Sequence, residues 1–164
     1  MFRVRREISS GWVKEIDIYS LREWQDPGTA EPRKPRFASD DERAAHREAI
    51  SRKHHTQLFN ANFSHNSLYS TLTLDNENEV HYVEDMKRLR DNYIRRLQRR
   101  YPDAVIFAYI GKGKNSRRWH MHMVTNGIPA NAIRSLWGHG DVDRIEHLRE
   151  HNIYDGVDCG EDYK

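Results

Sequence analysis

The chain has one cysteine, Cys159, in 164 residues, so it can form no internal disulfide and no cysteine-rich zinc site. It has no apolar run near the roughly 20 residues that a membrane-spanning helix needs. Its first residues, MFRVRREISS, contain no apolar stretch of the kind a secretory leader carries. A reducing cytoplasm and no membrane partner are the expectation. Proline is scarce as well. Three of its five copies fall in QDPGTAEPRKPR (25–36), which reads as a loop.

What is present is polar but foldable. Apolar residues make up 37% and charged residues 32%, a balance that supports a core and excludes a disordered chain. The length suits one compact domain. We divide it into an N-terminal strand with the Pro-rich loop (1–38) and an α+β domain (39–164). Net charge is only +2, but it is unevenly spread. Lys87 to Arg118 holds eleven Lys or Arg against two Asp, a net +9. Asp141 to Lys164 holds eight acids and three bases, a net −5. A basic middle suits a polyanion such as single-stranded DNA or RNA; an ordinary solvated surface is the bland reading.

Periodicity supplies the elements. GWVKEIDIYS (11–20) alternates as a strand. From Ser39 a helix is expected, with Ser39 and Glu42 as a capping box and Ala45, Ala49, Ile50 and Leu58 as a thin apolar stripe. SLYSTLTLDN (67–76) alternates again, with Leu68, Ser70, Leu72 and Leu74 on one side and Tyr69, Thr71 and Thr73 on the other. EVHYVEDMKRLRDNYIRRLQRRYP follows the 3.6-residue period until Pro102 stops it. DAVIFAYIGKG (103–113) reads as a buried strand, KGKNSRR as a polar turn and WHMHMVTNG as the returning strand. PANAIRSLWG is a short helix, and DVDRIEHLRE reads as strand or helix. Trp12, Trp24, Trp119 and Trp137 read as packing residues. This order gives an α+β sandwich with helices on one face of the sheet.

In RRWHMHMV (117–124), strand alternation sends His120 and His122 to one face and Trp119, Met121 and Met123 to the other. Two imidazoles so placed chelate one divalent metal, or they are plain sheet-face histidines. Lys112, Lys114, Arg117 and Arg118 in the turn are candidate phosphate contacts, as are Arg95 and Arg99 on the basic helix. Tyr69 is a candidate for stacking a base, or a core residue.

SLYSTLTLDN, the basic helix and IFAYIGKGKNSRRWHMHMV, in that order, resemble the HUH endonucleases. These are rolling-circle replication initiators and relaxases, and the likeness is strongest to replication proteins of Gram-positive plasmids and integrative elements. SLWGHGDVDRI and YDGVDCGEDYK also resemble their downstream segments, so the likeness spans about residues 66 to 164. The resemblance implies a ferredoxin-like, RRM-type antiparallel sheet that binds single-stranded nucleic acid. It implies that His120 and His122 hold Mn²⁺ or Mg²⁺ and that a tyrosine attacks the phosphate. Tyr154 and Tyr163 are the candidate nucleophiles.

The chain departs from that pattern twice. The family's third ligand, a Glu or Asp on the preceding strand, falls at YIGKG, where no carboxylate stands; His65, Asp75 or His139 would have to replace it. The family's nicking tyrosine falls on a helix beyond Lys164, so weakened or lost nicking is expected. The alternative reading is an inhibitor of the anti-CRISPR type. It would bind or block a CRISPR effector complex, or cut guide RNA with His120 or His122 as general base.

Overall fold

A computed structural model describes residues 2–21 and 37–161 of the protein. The Pro-rich loop, Trp24 and Tyr163 lie outside the described residues. The chain divides into two units, residues 1–61 and 62–164. The helix beginning after Ser39 thus falls almost wholly in the first unit rather than with the larger α+β domain.

The first unit is a hairpin and a helix. Strand β1 (Phe2–Ser10) pairs antiparallel with β2 (Val13–Leu21). Gly11 takes φ 58° in the two-residue turn, and a side chain there would strike the Asn60 carbonyl. The expected strand at 11–20 is therefore half of a hairpin. Its partner β1 was hidden behind alternating arginines and glutamates. The polar side of β2 packs: Val13, Glu15 and Asp17 are half-buried, while Trp12, Ile16 and Ile18 are exposed. Trp12, at 86% exposure, is not a packing residue.

Helix α1 (Asp40–Asn62) begins at the expected cap. Ser39 Oγ accepts from the Glu42 N–H at 3.2 Å, and the Glu42 carboxylate accepts from the Ala38 N–H at 2.8 Å. Lys53 joins α1 to the hairpin through Glu15 (2.9 Å) and Asp17 (3.3 Å), and Gln57 donates to Glu15. The stripe of Ala45, Ala49, Ile50 and Leu58 stays exposed, and Asn60 is the one buried residue of α1. The helix is held to the hairpin by polar contacts, so a 3.6-residue apolar spacing marks no core here.

The second unit runs β3 (Leu68–Thr73), α2 (Val83–Arg100), β4 (Val105–Lys112), β5 (Trp119–Asn126), α3 (Ala130–Trp137) and β6 (Val142–His147). A short hairpin, β7 (Ile153–Tyr154) and β8 (Val157–Asp158), follows. The four long strands form one antiparallel sheet in the order β4-β5-β3-β6. This is the βαββαβ order of a ferredoxin-like sheet, as the sequence led us to expect. DVDRIEHLRE, open between strand and helix, contributes β6. One extra residue on β6, Asp143, bulges opposite Thr71 and Leu72.

Strand β4 lies at the edge of the sheet and is mostly half-buried, not the buried strand its apolar run suggested. A glycine-flanked apolar run looks the same in both places. Here β5 pairs with β3 on its far side and leaves β4 outermost.

One face of the sheet carries the core. Leu72, Met121 and Met123 pack with Met86, Tyr93 and Leu97 of α2 and with Ala132, Ile133 and Trp137 of α3. Tyr93 donates to the Ile133 carbonyl at 2.7 Å, and burial raises its pKa. Trp137 Nε1 donates to the Thr73 carbonyl at 2.8 Å. Gly138, at φ 66°, ends α3 as the sequence indicated. No helix of the described residues is long and apolar enough to cross a membrane.

Candidate nucleic-acid interface

Helices cover one face of the sheet; the opposite face of the second unit carries the histidines. Met121 and Met123 are fully buried, and Trp119 packs half-buried against the core. His120 and His122 therefore project the other way, as alternation requires. Register fixes their neighbours. His122 lies between Thr71 of β3 and Tyr109 of β4; His120 lies between Thr73 and Gly111. Arg144 of β6 stands beside Thr71.

Three rings stand in a row across these strands. Tyr69 and His122 are 5.9 Å apart between centroids at 22°, and His122 and Tyr109 are 4.7 Å apart at 29°. The Tyr69 hydroxyl hydrogen-bonds His122 Nδ1 at 2.6 Å, and Thr71 Oγ1 donates to the Tyr69 oxygen at 3.3 Å. The Arg144 guanidinium lies 5.9 Å from the Tyr69 ring centre. The His120 ring stands edge-on to His122, 4.7 Å away. It rests over Gly111, where a Cβ would lie 2.6 Å from His120 Nε2. Burial, then the neighbouring Tyr69, raises the Tyr109 pKa.

Next to His120 a cleft of about 440 Å³ opens. It is lined by Thr73, Asp75, Asn76, Arg118, Asp141 and Asp143 among others.

The basic residues are placed unequally. Gly113 and Arg118 close the β4–β5 turn: the Gly113 N–H donates to the Arg118 carbonyl at 2.9 Å, and the Arg117 N–H to the Gly113 carbonyl at 3.0 Å. The Lys114 and Arg117 side chains have no ion-pair partner among the described residues. Lys112 Nζ sits 4.8 Å from the Trp119 ring centre. Arg118 is tied to Glu79 at 3.4 Å and hydrogen-bonds Asn76. Arg95 and Arg99 belong to α2, on the helix-covered face, and are not brought together with the histidines. Arg99 donates to the Arg95 carbonyl, and Arg95 to Asn92.

Tyr154 flanks the turn of the short β7–β8 hairpin, where Asp155 and Gly156 both take positive φ. It is 77% exposed. Of the substitutes for a third ligand, His65 pairs with Glu150 at 3.3 Å, and His139 sits against Arg96 and Asn78. Asp75 shares the cleft with His120 but accepts from the Asn78 backbone and side chain, which lower its pKa.

The donor set can be tested against the metal that the HUH resemblance implies. Two imidazoles suit a borderline ion, but Mn²⁺ and Mg²⁺ take oxygen donors and carboxylate charge. Among the described residues, no group of three His, Cys, Asp or Glu side chains is placed to hold a metal ion. The near neighbours of the pair are phenols, hydroxyls and a guanidinium. The set does not fit a hard cation.

Sequence reading missed Tyr109 as a site residue and Arg144 altogether. Alternation along β4 could have found Tyr109, but only with the hairpin register, which the long polar turn hides. Arg144 needed β6 to be known as the neighbour of β3.

His122 is held below its ordinary pKa by burial and then by His120; His139 is held down by burial and then by Arg96. Both bind protons more readily once the chain unfolds, near the usual pKa of about 6.5. Stability from these groups is thus complete above that pH and falls as pH drops below it. Urea midpoints at pH 7.5 and 5.5 check this: the acid-induced drop should shrink in the double variant His122→Gln/His139→Gln. His151, raised by its hydrogen bond to Asp158, acts with opposite sign, and equally in both proteins.

A four-stranded βαββαβ sheet with rings on its open face has the architecture of a single-strand nucleic-acid-binding domain. The comparison with protein families agrees and goes further. The model of the ORF2-type replication-associated protein family matches residues 67–154, more than half of the chain. The chain belongs to this family, and so is related to rolling-circle replication initiators. Among curated proteins and among solved structures, nothing matches. The family match speaks for DNA and carries nothing toward a CRISPR effector.

Proposed function

We propose that residues 62–164 form the single-stranded-DNA-binding domain of an HUH-type replication initiator relative, with metal-assisted nicking weakened or lost. One observation carries the reading: the open sheet face sets Tyr69, His122 and Tyr109 in a row and carries His120 beside them. A basic turn, with two cations unpaired among the described residues, closes the β4–β5 end. Stacked rings bind bases of any sequence, and cations follow the phosphates. Weakened nicking follows from the donor set, which lacks the carboxylate that a hard Lewis acid requires.

The test is a fluorescence-anisotropy titration of labelled single-stranded DNA over a range of salt. Binding should weaken linearly in log–log form as salt rises. Absence of any salt-dependent binding would overturn the DNA reading. Incubation with origin-like single strands and Mn²⁺ tests the other half. A covalent protein–DNA adduct that disappears in Tyr154→Phe or Tyr163→Phe would overturn the loss of nicking.

A further inference from the structure

We infer that Tyr109 fills the place beside His120 and His122 where an anionic third metal ligand would stand, so that this face stacks a DNA base on the Tyr69–His122–Tyr109 row without a divalent ion. The DNA half of this inference rests on the function proposed above; the metal half does not.

The register leaves few residues that could complete a metal site. From β4, Tyr109 faces His122, and Gly111 faces His120. Gly111 offers no donor and has no room for one, since even a Cβ would strike the His120 ring. That leaves position 109 as the place on β4 from which a side chain can reach the imidazoles, and there the residue is a neutral phenol. From β3 come Tyr69, Thr71 and Thr73, none of them anionic. Beyond them lies Arg144, a cation over the Tyr69 ring. A divalent ion here would meet two imidazoles, neutral hydroxyls and a nearby guanidinium, with no negative charge to offset its lost hydration. His122 is already committed at Nδ1 to the Tyr69 hydroxyl.

The same residues are arranged for stacking. Tyr69, His122 and Tyr109 lie within 29° of parallel from one ring to the next, ordered from the sheet centre to its edge strand. Tyr109 ends the row and is 46% exposed, so one side of its ring is open to a base. The hydrogen bonds among Tyr69, Thr71 and His122 fix the row before any ligand arrives, which lowers the ordering cost of binding.

The full chain carries the experiment, with Mn²⁺ binding followed by electron paramagnetic resonance and single-stranded DNA binding by anisotropy in EDTA. The wild type should leave the Mn²⁺ signal unchanged and should bind DNA equally well in EDTA and in Mn²⁺. Tyr109→Glu should gain one Mn²⁺ site that a further His122→Ala removes. Tyr109→Ala should weaken DNA binding by about 5- to 100-fold in EDTA, whereas Tyr109→Phe should keep it. Stoichiometric Mn²⁺ binding by the wild type that needs His120 and His122 would overturn the inference. So would a folded Tyr109→Glu that stays silent to Mn²⁺, or a Tyr109→Ala that binds DNA as the wild type does. If the wild type binds no DNA at all, the proposed function fails, and the Mn²⁺ titration still decides what Tyr109 does.

Discussion

Trp137→Ala is expected to cost the second unit about 4–6 kcal/mol, most or all of its stability. The indole is fully buried and meets the Tyr93 ring edge-on at 5.1 Å. Removing a buried aromatic side chain costs about 3–5 kcal/mol through lost transfer energy and the cavity left behind. The Thr73 carbonyl would also lose the Nε1 donor at 2.8 Å, which adds about 1 kcal/mol. For a unit of this size, each kcal/mol lowers the melting temperature by about 4–8 °C. Calorimetry should therefore show a drop of at least about 15 °C, or no cooperative transition. Trp12→Ala is the control. That indole is 86% exposed, and its loss should change stability by no more than about 0.5 kcal/mol. A small effect at Trp137 would mean that α3 does not anchor the sheet.

The contrast between these two tryptophans marks how far the sequence could be read. Both sit in apolar surroundings in the chain, and both read as packing residues. Trp137 belongs to a helix whose apolar residues recur with helical spacing and end at a left-handed glycine, so its face was decidable. Trp12 sits in a two-residue turn whose other strand, β1, has no apolar alternation strong enough to announce a hairpin. The βαββαβ order was legible for a similar reason: α2 and β3 have clean periods, and the H-x-H strand has large apolar residues on its other side.

The site was legible along a strand but not across strands. His120, His122 and Tyr69 were found because i and i+2 positions share a face within one strand. Tyr109 and Arg144 enter only through register, which depends on the turn length between β4 and β5 and on the bulge in β6. The α2 arginines mislead in the same sense. Arg95 and Arg99 add to the charge of the basic segment, yet the helix that carries them packs on the covered face of the sheet. Charge counted along a chain does not say which side of a sheet it reaches.

The β4–β5 turn makes that last point a measurable difference. Lys114→Ala/Arg117→Gln should weaken single-stranded DNA binding about tenfold at low salt. It should also make the log–log salt slope shallower by about 1.4, near 0.7 for each phosphate of a single strand that is no longer neutralised. Glutamine is chosen at 117 because φ there is 55°, a left-handed conformation the turn already imposes on arginine. The replacement then removes charge with little change in backbone strain. Arg118→Ala should have a smaller effect, because its guanidinium is already engaged by Glu79 and Asn76. Arg95→Ala/Arg99→Ala removes the same two charges from the chain but from α2. If the open sheet face is where DNA lies, that variant should keep both affinity and slope. Equal weakening by the two double variants would mean that net charge alone draws the DNA, and that the row of rings beside His120 plays no part in placing it.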